Sequence, residues 1–199
     1  MKSFFIRNAK GNTGWKMVLA VLLFSNGIFA QWDGPGGGVG GWVHATCMYK
    51  GKLYVGGEMN INGNYIAAWN GSTWENLGVG VDGQVDALCV YNNELYVGGR
   101  FMNAGGFEVK FIARWDGINW NEVSGGTNSI VYTMTVWNNK LIIGGYFNQI
   151  ENAPFNYIAS WDGHNFEPLG TGMAGREGQV MALTTVGNKL YAGGFFTTA

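Results

Sequence analysis

From residue 43 onward, apolar and polar positions follow one order that returns about every 46 residues. Each unit opens with a strand-like stretch, at residues 43–49, 85–91, 131–137 and 180–186. A two-residue turn follows: Lys50-Gly51, Asn92-Asn93, Asn138-Asn139 or Gly187-Asn188. Asn and Gly tolerate the positive φ that tight hairpins demand. Next come the unbroken apolar triplets Leu53-Tyr54-Val55, Leu95-Tyr96-Val97 and Leu141-Ile142-Ile143, which lack the alternation of a half-solvated strand and so predict strands covered on both faces. After a variable loop, residues 66–69, 112–115 and 158–161 predict a third strand, turned by Asn70-Gly71, Asp116-Gly117 or Asp162-Gly163 into a fourth that starts at Trp74, Trp120 or Phe166.

Three columns keep this register independently. The double glycines at Gly56-Gly57, Gly98-Gly99, Gly144-Gly145 and Gly193-Gly194 are separated by 42, 46 and 49 residues. The Trp-Asp/Asn-Gly triplets begin at Trp69, Trp115 and Trp161, and each is followed five positions later by an aromatic. Such self-similarity marks a repeat array. A four-stranded sheet with two apolar faces cannot bury either alone, so each must be covered by the next. The aromatic columns supply most of the buried area, at roughly 150–250 Å² per ring. The expected fold is all-β: a β-propeller-type repeat of four-stranded antiparallel blades.

This order resembles the kelch repeat of β-propellers. Phe111-Ile112-Ala113-Arg114-Trp115-Asp116-Gly117-Ile118-Asn119-Trp120 and Asn139-Lys140-Leu141-Ile142-Ile143-Gly144-Gly145-Tyr146-Phe147 are closer still to the Trp-Asp-Gly repeats of secreted bacterial surface proteins. Many of those end in a type IX secretion sorting domain, and a similar repeat occurs in the fungal cortical polarity-marker family. The resemblance covers essentially all of residues 31–199. It implies a propeller scaffold and a place outside, or on the surface of, a Gram-negative-type bacterium, with no shared catalytic signature. Two features depart from the pattern: no sorting domain is recognisable, and Trp-Asp/Asn-Gly replaces the kelch Tyr before its turn.

Register sets the expected limits of the units. Trp32 lies 11 residues before Val43, as Trp74 does before Val85, so residues 31–36 read as a stray fourth strand. Blades are expected at 43–78, 85–124 and 131–170, with a truncated fourth at 180–199. That makes an incomplete propeller of about three and a half blades, an open arc, read as the N-terminal fragment of a larger propeller protein.

Residues 1–30 stand apart. Lys2, Arg7, Lys10 and Lys16 precede the apolar run 17–24, and the segment closes on small residues up to Ala30. This is the build of a secretory signal peptide, with a retained signal anchor as the alternative. The run is shorter than the roughly 20 residues a membrane span needs, and no later stretch is apolar enough. The leader holds four of the 12 basic residues and none of the 13 acidic ones, leaving 8 basic against 13 acidic groups and a formal charge of −5 after cleavage. A mildly acidic body without a basic stripe argues against nucleic acid and anionic membranes as partners.

Chemistry is sparse. Cys47 and Cys89 share a column with Thr135 and Thr184, and read either as a disulfide favoured by export or as small buried residues. His44 and His164 lack a second ligand at metal spacing, so neither a zinc site nor a nucleophile relay is expected. The glycine-rich segment 34–41 matches the linkers at 77–80 and 169–172 and precedes no helix, which excludes a phosphate loop. Residues 60–64 have the spaced oxygens of a calcium loop without its carboxylates, so a polar turn is favoured. Asp82, Asp86 and Glu108 have no recurrent partner in sequence. No catalytic residue, metal or cofactor is assigned.

Loops 60–65, 102–110 and 148–156 vary most while the strands around them keep register. Variable loops on a rigid scaffold are where ligand contact concentrates. Phe107, Lys110, Glu151 and Phe155 are therefore the candidate binding residues. The expected function is an exported non-catalytic binding or adhesion module for a protein or glycan at the cell surface. The alternative is a propeller-type carbohydrate-active hydrolase or lyase with acids in the channel or in a part outside these residues.

Overall fold

The computed structural model describes residues 38–61, 63–175 and 178–199. The expected signal peptide at 1–30 and the expected stray strand at 31–36 lie outside them. The described residues are all-β, with no helix among them. The first sheet comprises β1 (Trp42–Tyr49), β2 (Lys52–Ile61), β3 (Asn64–Trp69) and β4 (Trp74–Glu75). The second contains β5 (Val85–Tyr91) and β6 (Glu94–Gly99), a small hairpin β7 (Asn103–Ala104) and β8 (Phe107–Glu108), then β9 (Ile112–Trp115) and β10 (Trp120–Glu122). The third repeats this plan with β11 (Val131–Trp137), β12 (Lys140–Gly145), hairpin strands β13 (Gln149–Ile150) and β14 (Ala153–Pro154), β15 (Ile158–Trp161) and β16 (Phe166–Pro168). A two-stranded sheet of β17 (Gln179–Val186) and β18 (Lys189–Phe195) follows. Each blade is an antiparallel meander in chain order, and the blades form an open arc in which the first strands β1, β5, β11 and β17 lie side by side.

Local chemistry explains the turns. Both central residues have positive φ at Lys50-Gly51, Asn92-Asn93 and Asn138-Asn139, as a type I′ hairpin requires. In the Trp-Asp/Asn-Gly triplets the middle side chain caps its own turn: Asn70 Oδ1 accepts the N–H groups of Ser72 and Thr73. Asp116 does the same for Ile118 and Asn119, and Asp162 for His164 and Asn165. The Trp before each cap pairs with the next aromatic across the turn, at ring-centroid distances of 5.3, 5.3 and 4.7 Å.

The core lies between blades. Tyr54, Ile66 and Leu77 of the first blade pack with Leu95, Val97, Trp115 and Trp120 of the second. Tyr96, Ile112 and Val123 meet Leu141, Ile143 and Trp161 of the third. Ile142 and Ile158 meet Val180 of the fourth. Polar atoms in these seams find partners in the neighbouring blade: Trp120 Nε1 donates to Leu77 O at 2.7 Å and Trp161 Nε1 to Tyr96 Oη at 3.1 Å. The seams thus have both the apolar area and the satisfied polar groups of a domain interior.

Candidate functional site

Every first strand carries the same irregularity at its start. Pairing skips a residue between Val43 and Ala45, Val85 and Ala87, Val131 and Thr133, and Val180 and Ala182. The bulged residues are His44, Asp86, Tyr132 and Met181. A bulge leaves its extra residue out of the ladder and re-aims its side chain. The double-glycine and Trp-Asp/Asn-Gly columns stay nearly constant from blade to blade, whereas this one changes chemical type in every blade. So does the residue after each double glycine, at the same end of the sheets: Glu58, Arg100, Tyr146 and Phe195.

Four of these residues, His44, Asp86, Arg100 and Tyr132, form an array, with Gln84 beside them. His44 Nδ1 lies 3.0 Å from Asp86 Oδ1, and Gln84 Nε2 donates to the same oxygen at 2.5 Å. Arg100 Nε donates to Asp86 Oδ2 at 3.2 Å, and its guanidinium sits 5.5 Å over the Tyr132 ring. The Asp86 side chain is only 9% exposed. Gln84 Nε2 is also 3.0 Å from His44 Nδ1, but a carboxylate is the stronger acceptor, which puts the proton on Nδ1 and leaves Nε2 uncommitted. Asp86 is thus the buried anion that orients an imidazole and a guanidinium.

The linkers anchor this rim to the loops. Asp82 accepts the N–H groups of Met102 and Asn103 at 2.9 and 2.8 Å and the Asn103 amide at 2.6 Å. Burial raises the Asp82 pKa, but those hydrogen bonds outweigh it and hold the carboxyl below its ordinary value. Asn128 repeats the bracket for Asn148 and Gln149 in the next blade, both at 3.0 Å. Bridges Val81↔Ala104 and Thr127↔Ile150 complete the tie.

The candidate loop residues separate on this scaffold. Phe107 is 43% exposed on β8, and Lys110 is exposed at the positive-φ turn that follows. Glu151 sits at the tip of the β13–β14 hairpin, where its carboxylate accepts the Ser124 hydroxyl. Phe155 is a correction: at 6% exposure it packs with Phe147 and Ile150 in the core and presents nothing to a partner. Its loop folds as a hairpin over the blade, and the aromatic is what holds that hairpin down. No hydrogen bond or ion pair joins any of the four to another among the described residues.

Other sequence candidates resolve locally. Cys47 and Cys89 are free thiols on β1 and β5, and burial pushes the Cys89 pKa up to about 12, with Cys47 adding to the effect. Asn60 Oδ1 accepts the Gly63 N–H at 2.7 Å, the arrangement of a polar turn. That turn borders a shallow depression of about 220 Å³ lined by Gly40, Glu58, Met59 and Tyr65. Among the described residues no group of three or more His, Cys, Asp or Glu converges as a metal site. The His44–Asp86–Arg100–Tyr132 array was not legible as a site. Its one sequence signal is a column that alternates chemistry amid columns that repeat.

No protein-family model matches the chain, and no curated protein matches it. Among solved structures, the crystal structure of the computationally designed Ika8 protein is similar over 75% of this chain, at 16% identity and a TM-score of 0.33. The chain spans 54% of that protein. A likeness at this level carries no argument about function.

Proposed function

We propose that this chain is an exported, non-catalytic binding or adhesion module, related to the secreted Trp-Asp-Gly repeat proteins it resembles, that holds a cell-surface glycan or protein on the bulged rim. The carrying observation is the column His44, Asp86, Tyr132, Met181: identical backbone positions with different chemistry, beside framework columns that repeat. The double-glycine and Trp columns each keep one packing role and one residue type, whereas a recognition surface gains from diversity at fixed positions. Export rests on the basic, then apolar, then small-residue leader.

The hydrolase alternative draws on the His44–Asp86 pair, whose free Nε2 resembles the base of a nucleophile relay. Asp86, however, is engaged by His44, Gln84 and Arg100, which suits a fixed anion better than a proton-exchanging acid. Glycoside hydrolysis needs two carboxyl groups roughly 5–10 Å apart, one of them free to exchange a proton, and Glu58 is the other carboxyl on this rim. The test is a glycan array and a whole-cell binding assay with the purified chain, run beside a reducing-end assay on bound polysaccharides. Binding without new reducing ends is expected. Release of reducing ends that is lost in His44→Ala would replace the binding reading with the enzyme.

A further inference from the structure

The ligand class can be narrowed at Arg100. Asp86 takes Nε of this guanidinium, and its Cζ lies 5.5 Å over the Tyr132 ring, so the side chain is held at two points. The terminal Nη1 and Nη2 have no acceptor among the described residues. Together they present the end-on fork that matches a carboxylate in two parallel hydrogen bonds. The supporting carboxylate is nine-tenths buried and hydrogen-bonded on both oxygens, the mark of a built support rather than a passing surface pair.

Charge and surroundings select among anions. Arg100 and Asp86 cancel formally, and Glu58 at the same end of the sheets offsets the single positive charge that His44 can carry. The chain after the leader is acidic, with 8 basic against 13 acidic groups. That balance suits a single monoanion and opposes dense polyanions. Tyr146, 45% exposed, holds in the third blade the position that Arg100 occupies in the second. Tyr146 N donates to Ile130 O at 2.9 Å, which sets it beside the same end of the β11–β12 ladder from which Tyr132 projects. Its ring stacks on Tyr157 with centroids 6.5 Å apart and an interplanar angle of 30°. An exposed aromatic at the same end of the sheets as a carboxylate fork suits a pyranose, which offers an apolar C–H face and a charged edge.

We infer that the rim binds an acidic glycan, with Arg100 receiving the carboxylate of a uronic acid residue and Tyr146 stacking on its ring or on the adjacent sugar. This rests on the binding-module reading and names its ligand class.

The experiment titrates the full chain with a galacto-oligosaccharide tetramer that carries a single terminal galacturonic acid, and with the methyl ester of that acid, which differ by one charge but not in ring shape. Isothermal calorimetry is expected to show the acid binding at least about tenfold more tightly, the scale of one charged hydrogen-bond pair. Arg100→Gln, and also Arg100→Lys, should bring the acid down to the level of the ester, since lysine supplies charge without the fork. Tyr146→Ala should weaken both ligands alike, with near-ultraviolet circular dichroism verifying that each variant keeps its aromatic packing. Equal binding of acid and ester by the unaltered chain overturns the inference, as does failure of both to bind. Arg100 variants that keep the discrimination also overturn it. A decaglutamate peptide that binds as tightly as the tetramer, insensitive to Tyr146→Ala, assigns the fork to acidic protein segments instead. Array binding confined to neutral glycans defeats the Arg100 inference and leaves the module reading standing. Cleavage of the tetramer defeats the module reading, while the acid-to-ester ratio still reports on Arg100.

Discussion

Val131 of the third blade fills the space above Gly98 of the second: a Cβ on Gly98 would stand 2.7 Å from Val131 Cγ1. The same contact joins Gly56 to Val85 at 2.4 Å and Gly144 to Val180 at 2.6 Å. The second glycine of each pair faces its own sheet, where a Cβ on Gly99 would meet the Gln84 carbonyl oxygen at 2.1 Å. The double glycine thus serves two purposes: one residue admits the next blade, and the other admits the backbone of the first strand.

Gly98→Ala is expected to cost about 1–3 kcal/mol, the usual toll of overpacking. Val131→Ala alone leaves a void and costs ~2 kcal/mol. The double variant should be less destabilised than the sum of the two, by roughly 0.5–3 kcal/mol, because each change relieves the other. Gly193 has only Ala182 Cβ near, at 4.0 Å, so Gly193→Ala should stay within about 0.5 kcal/mol of the parent. Urea denaturation of the four variants checks this, and strict additivity at Gly98 and Val131 would refute the contact.

Neighbouring blades are also joined at the opposite rim. Tyr49 donates its hydroxyl to Asn93 O and Tyr91 to Asn139 O, both at 3.0 Å, and Trp137 Nε1 donates to Asn188 O at 2.9 Å. Tyr91→Phe keeps the ring and leaves a part-buried turn carbonyl short of a donor. A loss of about 1 kcal/mol is expected, seen as a melting temperature lower by roughly 2–4 °C. An unchanged melting temperature would mean that water replaces the hydroxyl at no cost.

The Asx caps predict an acid dependence. Backbone N–H groups of Asn119 and Ile118 hold Asp116 below the ordinary value of 3.8, and those of Asn165 and His164 do the same for Asp162. A carboxyl whose pKa is lowered by folding contributes stability above its unfolded pKa, and that contribution fades as pH falls through the folded pKa. Asn70 makes the same two bonds without a charge. Asp116→Asn combined with Asp162→Asn should therefore lower stability slightly at neutral pH, by a margin that closes as pH falls below about 4. Denaturation curves at several pH values test it; a margin that grows toward acid would contradict the sign.

Cys47 and Cys89 should resist thiol reagents in the folded chain. Burial raises both pKa values, that of Cys89 to about 12, so little thiolate exists at neutral pH. Two alkylated thiols per chain are expected in urea and close to none without it. Rapid labelling of the native chain, or fewer than two thiols after unfolding without reductant, would contradict this.

The strands were legible to the residue in places. Residues 85–91 and 131–137 are β5 and β11, and 112–115 and 158–161 are β9 and β15. These limits depend on neighbours in sequence: a type I′ turn, an Asx cap and an unbroken apolar run each act over a few residues. Phe155 was misplaced because a loop of uneven length hides the periodicity that distinguishes a covering aromatic from an exposed one.

His44 and Asp86 are 42 residues apart. Asp86 holds Gln84 and Arg100 of its own unit, but no spacing rule within a repeat joins it to His44 in the preceding one. They meet because two bulges re-aim two side chains at one end of adjacent first strands, and because Val85 seats against Gly56 to hold the first and second blades in register. By itself the sequence determined the blade, since turn chemistry and apolar period are properties of short segments. Only the tertiary structure decided the rim, because a hydrogen bond between blades exists only after burial has stacked them.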